Sequence, residues 1–216
     1  TRKESSAASD VYKRQVLVAN PNKTWSDVDA SLPNIAIEVL GPPPSSGTRD
    51  AFAELAMEGG CKTFKWLADI KKQDKNRYKS ICRSVREDGP YIEVGENDNL
   101  IVSKLNANPN ALGVFGYSFL DQNSDTIQGS MVDGALPTFE NIADGTYKVS
   151  RPLYFYVKNA HASSIPGIKQ YVREFTSKGA IGQSGYLSDK GLIPMPNSEY
   201  KEFASAGKKL TPLMGL

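Results

Sequence analysis

The residues of this 216-residue chain whose types and spacing can do chemistry together are Ser45-Ser46-Gly47-Thr48-Arg49-Asp50. They lie between a strand-like run, Ile35 to Leu40, and a helix-like run, Ala51 to Met57. A strand that passes through a small polar loop into a helix presents the first N–H groups of that helix without intrahelical partners. It does so at the end where the aligned peptide dipoles leave partial positive charge. An oxyanion fits that place. Gly47 lets the backbone approach a ligand closely, Ser45, Ser46 and Thr48 bring hydroxyl groups, and Arg49 brings a planar fork matched to a tetrahedral anion. The same residues also read as an ordinary capped helix, with Thr48 or Asp50 as N-cap. The spacing is neither a Walker loop nor a dinucleotide fingerprint, which argues against nucleotides.

Composition narrows the field further. The 26 basic and 24 acidic residues leave a formal charge of +2, too balanced for a nucleic-acid footprint. No apolar run approaches the roughly 18 residues of a membrane-spanning helix. Cys61 and Cys82, with His161 as the single histidine, cannot supply a four-ligand zinc site from these residue types. They read equally well as two reduced, partly buried thiols or as a disulfide, which in an oxidising compartment would stabilise the fold by about 3 kcal/mol.

The elements that must position the loop alternate in type. A helix from about Thr48 places Phe52, Leu55 and Ala56 on one face and is expected to end at Gly59-Gly60. Helical spacing returns over Thr63 to Lys72, with a solvated face of Lys65, Lys71, Lys72 and Lys75, and over Tyr78 to Val85. Tyr91 to Val94 is extended, and a polar turn at Gly95 to Asn99 caps a helix over Leu100 to Asn106. Leu112 to Tyr117 reads as a buried strand, Thr138 to Asp144 as a short helix, and Ser150 to Lys158 as the longest strand of the chain. A helix over Ile165 to Thr176 carries Ile168, Tyr171, Val172 and Phe175 on one face, before a glycine-rich connection from Gly179 to Gly191. Such alternation predicts an α/β sheet with crossover connections. Residues 1 to 15 are polar, lack a leader-type apolar segment and read as a non-native or disordered stretch outside the fold.

Five segments, in order, resemble one family: Gly41 to Phe52, Glu93 to Asn99, Ala111 to Tyr117, Tyr147 to Tyr154, and Gly185 to Leu187 with Leu192-Ile193-Pro194. On these the chain is similar to the phosphate-binding proteins of bacterial high-affinity phosphate ABC transporters, periplasmic solute receptors of two-lobed architecture. The resemblance implies a type II periplasmic-binding-protein-like α/β fold, with residues 16 to 149 as an essentially complete second lobe and 150 to 216 as the returning part of a partial first lobe. It implies that the opening half of the first lobe, with another phosphate loop and a carboxylate that accepts a hydrogen bond from the bound anion, lies outside this sequence.

By the same resemblance Ser46, Gly47 and Thr48 are the phosphate loop, with Ser45 beside them. Many members carry an arginine where this chain has Pro42, so Arg49 is expected to supply the guanidinium, as in a branch that reads Gly-Pro-Pro-Pro-Thr-Ser-Gly-Thr-Arg-Asp. Asp50 is expected to orient it or cap the helix, and Asn97 or Asp98 is a further candidate more readily read as an N-cap. The implied partners are inorganic phosphate and the permease subunits of an ABC transporter, for a monomer in the periplasm with no metal or organic cofactor and no nucleic acid. A receptor for another oxyanion, or a phosphate sensor without transport, uses the same pocket physics. An enzyme with Ser46 as nucleophile and His161 as base lacks a nucleophile-elbow motif. Export to the periplasm would make the Cys61–Cys82 pair a disulfide.

Overall fold

The alternation of apolar runs and amphipathic helices forms a parallel sheet with helical crossovers within residues 23–212, the part of the chain that the computed structural model describes. The segment 1 to 15 and the apolar piece Val16 to Ala19 lie outside these residues. Two compact units result. The first extends to Asn141 and takes in Gly145–Arg151, and the second comprises Ile142–Asp144 and the chain from Pro152 onward.

The first unit is built on three strands, β1 (Val39–Gly41), β2 (Tyr91–Glu93) and β3 (Leu112–Gly113), in the order β2-β1-β3. Both pairings are parallel, with Val39 opposite Tyr91 on one side and Leu112 on the other. The central strand is buried along its whole length, as its all-apolar sequence requires when both faces are covered. Each strand is shorter than its apolar run. The expected strand over Ile35 to Leu40 begins only at Val39, because Ile35 and Ile37 bond instead to Trp25 and Lys23 beside α1 (Trp25–Val28). The expected strand over Leu112 to Tyr117 leaves the ladder after Gly113, and Tyr117 opens a helix.

After β1 the chain enters a continuous helical rod made of α2 (Gly47–Phe52), a π-helical stretch (Ala53–Met57) and α3 (Glu58–Cys61). Bonding from i to i+5 holds more residues per turn than an α-helix. The buried positions therefore recur about every four residues, Phe52 with Ala53, Ala56 with Met57 and Glu58, Gly60 with Cys61, and Leu55, expected on the buried face, is only half-buried. The rod also runs through Gly59-Gly60, the expected stop, to Cys61.

Cys61 is disulfide-bonded to Cys82, Cα to Cα 6.0 Å. The bond joins the rod to α5 (Lys75–Arg83), which follows α4 (Lys65–Gln73) after a cap in which Asp74 accepts the Arg77 amide. Leu67, Tyr78 and the two cysteines form a small core there. The main core lies between rod and sheet and holds Ile37, Val39, Phe52, Met57, Tyr91 and Val114. The crossover α6 (Asp98–Ala107) links β2 to β3, and α7 (Tyr117–Gln122) and α8 (Phe139–Ala143) follow.

The second unit contains α9 (Asn159–Ala162), α10 (Ile168–Phe175), α11 (Lys178–Ile181), a 3-10 turn (Ser188–Lys190) and α12 (Asn197–Lys209). Val172, Thr176, Ala180 and Ala204 are buried within it, while Tyr171, placed on the same face by spacing, is exposed. The expected strand over Ser150 to Lys158 has no ladder among the described residues, and Leu153, Tyr154 and Tyr156 stand 81%, 66% and 74% exposed. β-propensity expresses fit to a pleated, half-buried surface, and without a neighbouring backbone the run takes no regular structure.

Candidate functional site

Three connections leave the carboxyl edge of the sheet: Pro42 to Ser46 after β1, Val94 to Asn97 after β2, and Val114 to Gly116 after β3. In open parallel α/β sheets ligands lodge outside that edge, where successive connections diverge to opposite sides. Here they diverge at β1, which has β2 on one side and β3 on the other.

The loop after β1 closes on itself and then on its neighbour. The Ser46 amide donates to the Pro43 carbonyl at 3.0 Å, and Ser46 sits in extended backbone as the N-cap, its Oγ accepting the Thr48 amide at 3.2 Å. The cap is thus Ser46 and not Thr48 or Asp50, because the helix starts one residue earlier than expected and the capping position must stay outside helical geometry. Ser45 Oγ donates to Glu96 Oε1 at 2.7 Å, across 51 residues of sequence. Asn97 caps α6 by accepting the Asn99 amide at 3.0 Å, and Asp98 Oδ2 accepts the Gly116 amide at 3.1 Å, which ties the connection after β3 to the start of α6.

Arg49 lies across a platform made by β1 and β2. Its guanidinium carbon stands 4.1 Å from the Tyr91 ring centroid, its Nη1 donates to the Pro42 carbonyl at 3.2 Å, and Glu93 Oε1 is 3.6 Å from the same nitrogen. The Pro42 carbonyl also accepts Tyr91 Oη at 2.9 Å, so both of its lone pairs are used. Burial pushes the Tyr91 hydroxyl above its ordinary range. Only glycine fits at position 41, where a Cβ would fall 2.1 Å from Tyr91 Oη and 2.7 Å from Cζ. Gly41→Ala should displace the Tyr91 ring that carries Arg49, costing about 1–3 kcal/mol in urea unfolding. An unchanged midpoint would contradict this packing.

Asp50 does not contact Arg49 among the described interactions. It faces two other guanidinium groups, with Arg83 Nη1 at 3.9 Å and Arg151 Nη1 at 3.5 Å. Arg83 also binds Glu58 at 2.7 Å and Glu54 at 3.5 Å, and Lys71 meets Glu58 at 3.1 Å. Burial opposes ionisation of Glu58, yet the hydrogen bonds from Arg83 and Lys71 hold its carboxyl below the usual glutamate range. Tyr91, Glu93, Glu96, Arg83 and Arg151 were invisible as a group in the sequence, since each reaches the loop from another element. The only signal was that Glu93, Glu96 and Arg151 stand inside segments that carry the family resemblance.

A family model described as "PBP superfamily domain" matches residues 5–178. The chain belongs to the PBP superfamily. Among similar PBP sequences, a phosphate-binding protein PstS of Staphylococcus saprophyticus is 27% identical over 99% of this chain and 58% of its own length. One from Staphylococcus haemolyticus is 29% identical over 83% of this chain and 48% of its own. The chain thus spans about half the length of these relatives. Among solved structures, a possible phosphate binding protein from Planctomyces limnophilus superposes with a TM-score of 0.64 at 20% identity, covering 96% of this chain and 66% of the other. PstS from Borrelia burgdorferi superposes with a TM-score of 0.56 at 19% identity, over 89% and 65%. These likenesses establish the two-unit α/β chain as a PBP fold. Among the described residues no helix is long and apolar enough to cross a membrane, and no cluster of three or more His, Cys, Asp or Glu is arranged to hold a metal ion.

Proposed function

We propose that this chain binds inorganic phosphate at the Ser45 to Arg49 loop and serves as the receptor of an ABC-type phosphate importer. The observation that carries the reading is the loop itself: a serine-capped helix start at the carboxyl edge of the central strand, with two hydroxyl residues and a guanidinium around it, in a superfamily whose matched relatives are named as phosphate-binding proteins. Capture is non-covalent. The dehydrated anion takes charge-assisted hydrogen bonds from the loop amides that the cap leaves free, from the Ser46 and Thr48 hydroxyls, from Arg49, and from Ser45 once its hydroxyl leaves Glu96. For Arg49 this means exchanging Glu93, half exposed at 3.6 Å, for the ligand while keeping Pro42 and the Tyr91 ring. Asn97 and Asp98 serve the site by capping and by joining two connections.

The family resemblance supports residues 16 to 149 as one lobe and 150 to 216 as part of the other, closing on the ligand before a permease receives it. The same resemblance supports a monomer acting outside the cytoplasmic membrane without catalysis, and the Cys61–Cys82 disulfide favours that compartment. Near neutral pH phosphate keeps a proton that sulfate lacks, so a buried acceptor carboxylate selects between them. Isothermal titration of the full natural polypeptide should show phosphate binding far tighter than sulfate. Equal affinities would replace this reading with a general oxyanion receptor. Arg49→Ala is expected to weaken phosphate binding by about 1.5–3 kcal/mol, and an unchanged affinity would assign Arg49 to the framework. Turnover of a chromogenic phosphate ester that vanished in Ser46→Ala would show an enzyme instead.

A further inference from the structure

Three guanidinium groups surround the start of the rod, and their charges are spent differently. Arg49 is held by Pro42, the Tyr91 ring and Glu93. Arg83 is divided among Glu58, Glu54 and Asp50, one cation against three carboxylates. Arg151 arrives from 104 residues away, and its Nη2 donates to the Gly47 carbonyl at 2.9 Å while its Nη1 stands 3.5 Å from Asp50 Oδ2.

Asp50 works against an anion at this helix start. Its carboxylate occupies the first turn, next to Arg49, and competes for the partial positive charge that a bound oxyanion would use. Arg83, shared with Glu58 and Glu54, stands farther from Asp50 at 3.9 Å, and Arg151 at 3.5 Å is the nearer cation that balances it. The other nitrogen of Arg151 has a second effect. The Gly47 carbonyl and the Thr48 N–H belong to one peptide unit, and a cation bonded to that oxygen polarises the unit and strengthens the Thr48 amide as a donor to Ser46 Oγ, which fixes the cap and with it the shape of the loop.

We propose that Arg151 is a positioning residue of the anion loop, one nitrogen fixing the Gly47–Thr48 peptide and the other masking Asp50, so that a tetrahedral anion meets net positive charge. Arg151 acts through these two groups and does not touch the ligand. The inference rests on the phosphate reading above and adds to it a residue from the far end of the first unit.

The test is calorimetric titration of inorganic phosphate into the full natural polypeptide and its variants, in low and high salt. Arg151→Gln should weaken binding by about tenfold, with a smaller loss in high salt because the effect is one of charge. Arg151→Lys should recover only part of the affinity, since one ammonium cannot hold two diverging acceptors as a fork does. Removing the opposing charge as well, in Asp50→Asn with Arg151→Gln, should bring affinity back to within about threefold of the unsubstituted protein, a coupling that a merely structural arginine would not show. Unchanged affinity in Arg151→Gln, or a double variant no better than Arg151→Gln alone, overturns the proposal. If Arg151→Gln does not fold, the Lys variant and the double variant decide by the same comparison. Unsubstituted protein that binds no phosphate removes the functional reading and this one with it. Unsubstituted protein that binds normally while Arg151→Gln is indifferent removes this one alone.

Discussion

Glu58→Gln should lower the unfolding free energy by about 1.5–3 kcal/mol at neutral pH, because it removes from a buried position the carboxylate that hydrogen-bonds two cations, one of which keeps only the more distant Glu54 and Asp50. Glu58 is buried at the head of α3 and accepts from Arg83 Nε at 2.7 Å and from Lys71 Nζ at 3.1 Å. Those bonds overcome the burial penalty and depress its folded-state pKa. A depressed carboxyl pKa contributes stability that is present above the unfolded value, about 4.3, and is lost as pH falls through the folded value. The gap between native protein and Glu58→Gln should therefore be full at pH 7 and narrow steadily below the ordinary glutamate range. Urea unfolding across that range measures it. A gap that stays constant with pH would mean that Glu58 contributes through packing and not through its charge.

Opening the Cys61–Cys82 bond, by reductant or by paired serine substitutions, should cost about 3 kcal/mol through the freed chain entropy of the unfolded state. The bond also precedes Arg83, the residue that grips Glu58, Glu54 and Asp50 along the rod. Loss of the disulfide and loss of Glu58 should therefore be less than additive, since both release the same contact between α5 and the rod. Unfolding with and without reductant, in native and Glu58→Gln proteins, gives the four values needed. If the protein is exported as proposed, mass spectrometry of the unreduced exported protein should find the two cysteines joined, and free thiols there would contradict the bridge.

The legible parts of the fold are those set by neighbours in sequence. The strand, loop and helix around Ser46 could be read because glycine, a small polar cap and an apolar helical face act over a few residues. Asn97 as a cap was readable for the same reason, and so were the exposed lysines Lys65 and Lys72 of α4, whereas Lys71, expected among them, pairs with Glu58 and Lys75 opens α5. The limits of the strands were not. Ile35 to Ile37 carries the same β-type residues as Val39 and Leu40, and only the competing bonds to Lys23 and Trp25 decide which of them join the ladder. The run Leu153 to Tyr156 shows the same rule from the other side, being rich in strand-forming residues yet without a ladder among the described residues.

By itself the sequence determined that this is an α/β chain whose Ser-Gly-Thr turn opens a helix, because caps and helix periodicity are short-range hydrogen-bond and packing effects. The tertiary structure alone decided which side chains surround that turn. Arg49 lies on Tyr91, Ser45 meets Glu96 and Arg151 reaches Gly47, contacts that depend on where parallel strands end and crossovers return. Such partners lie tens of residues apart, and no local pattern encodes a distance that only chain closure sets.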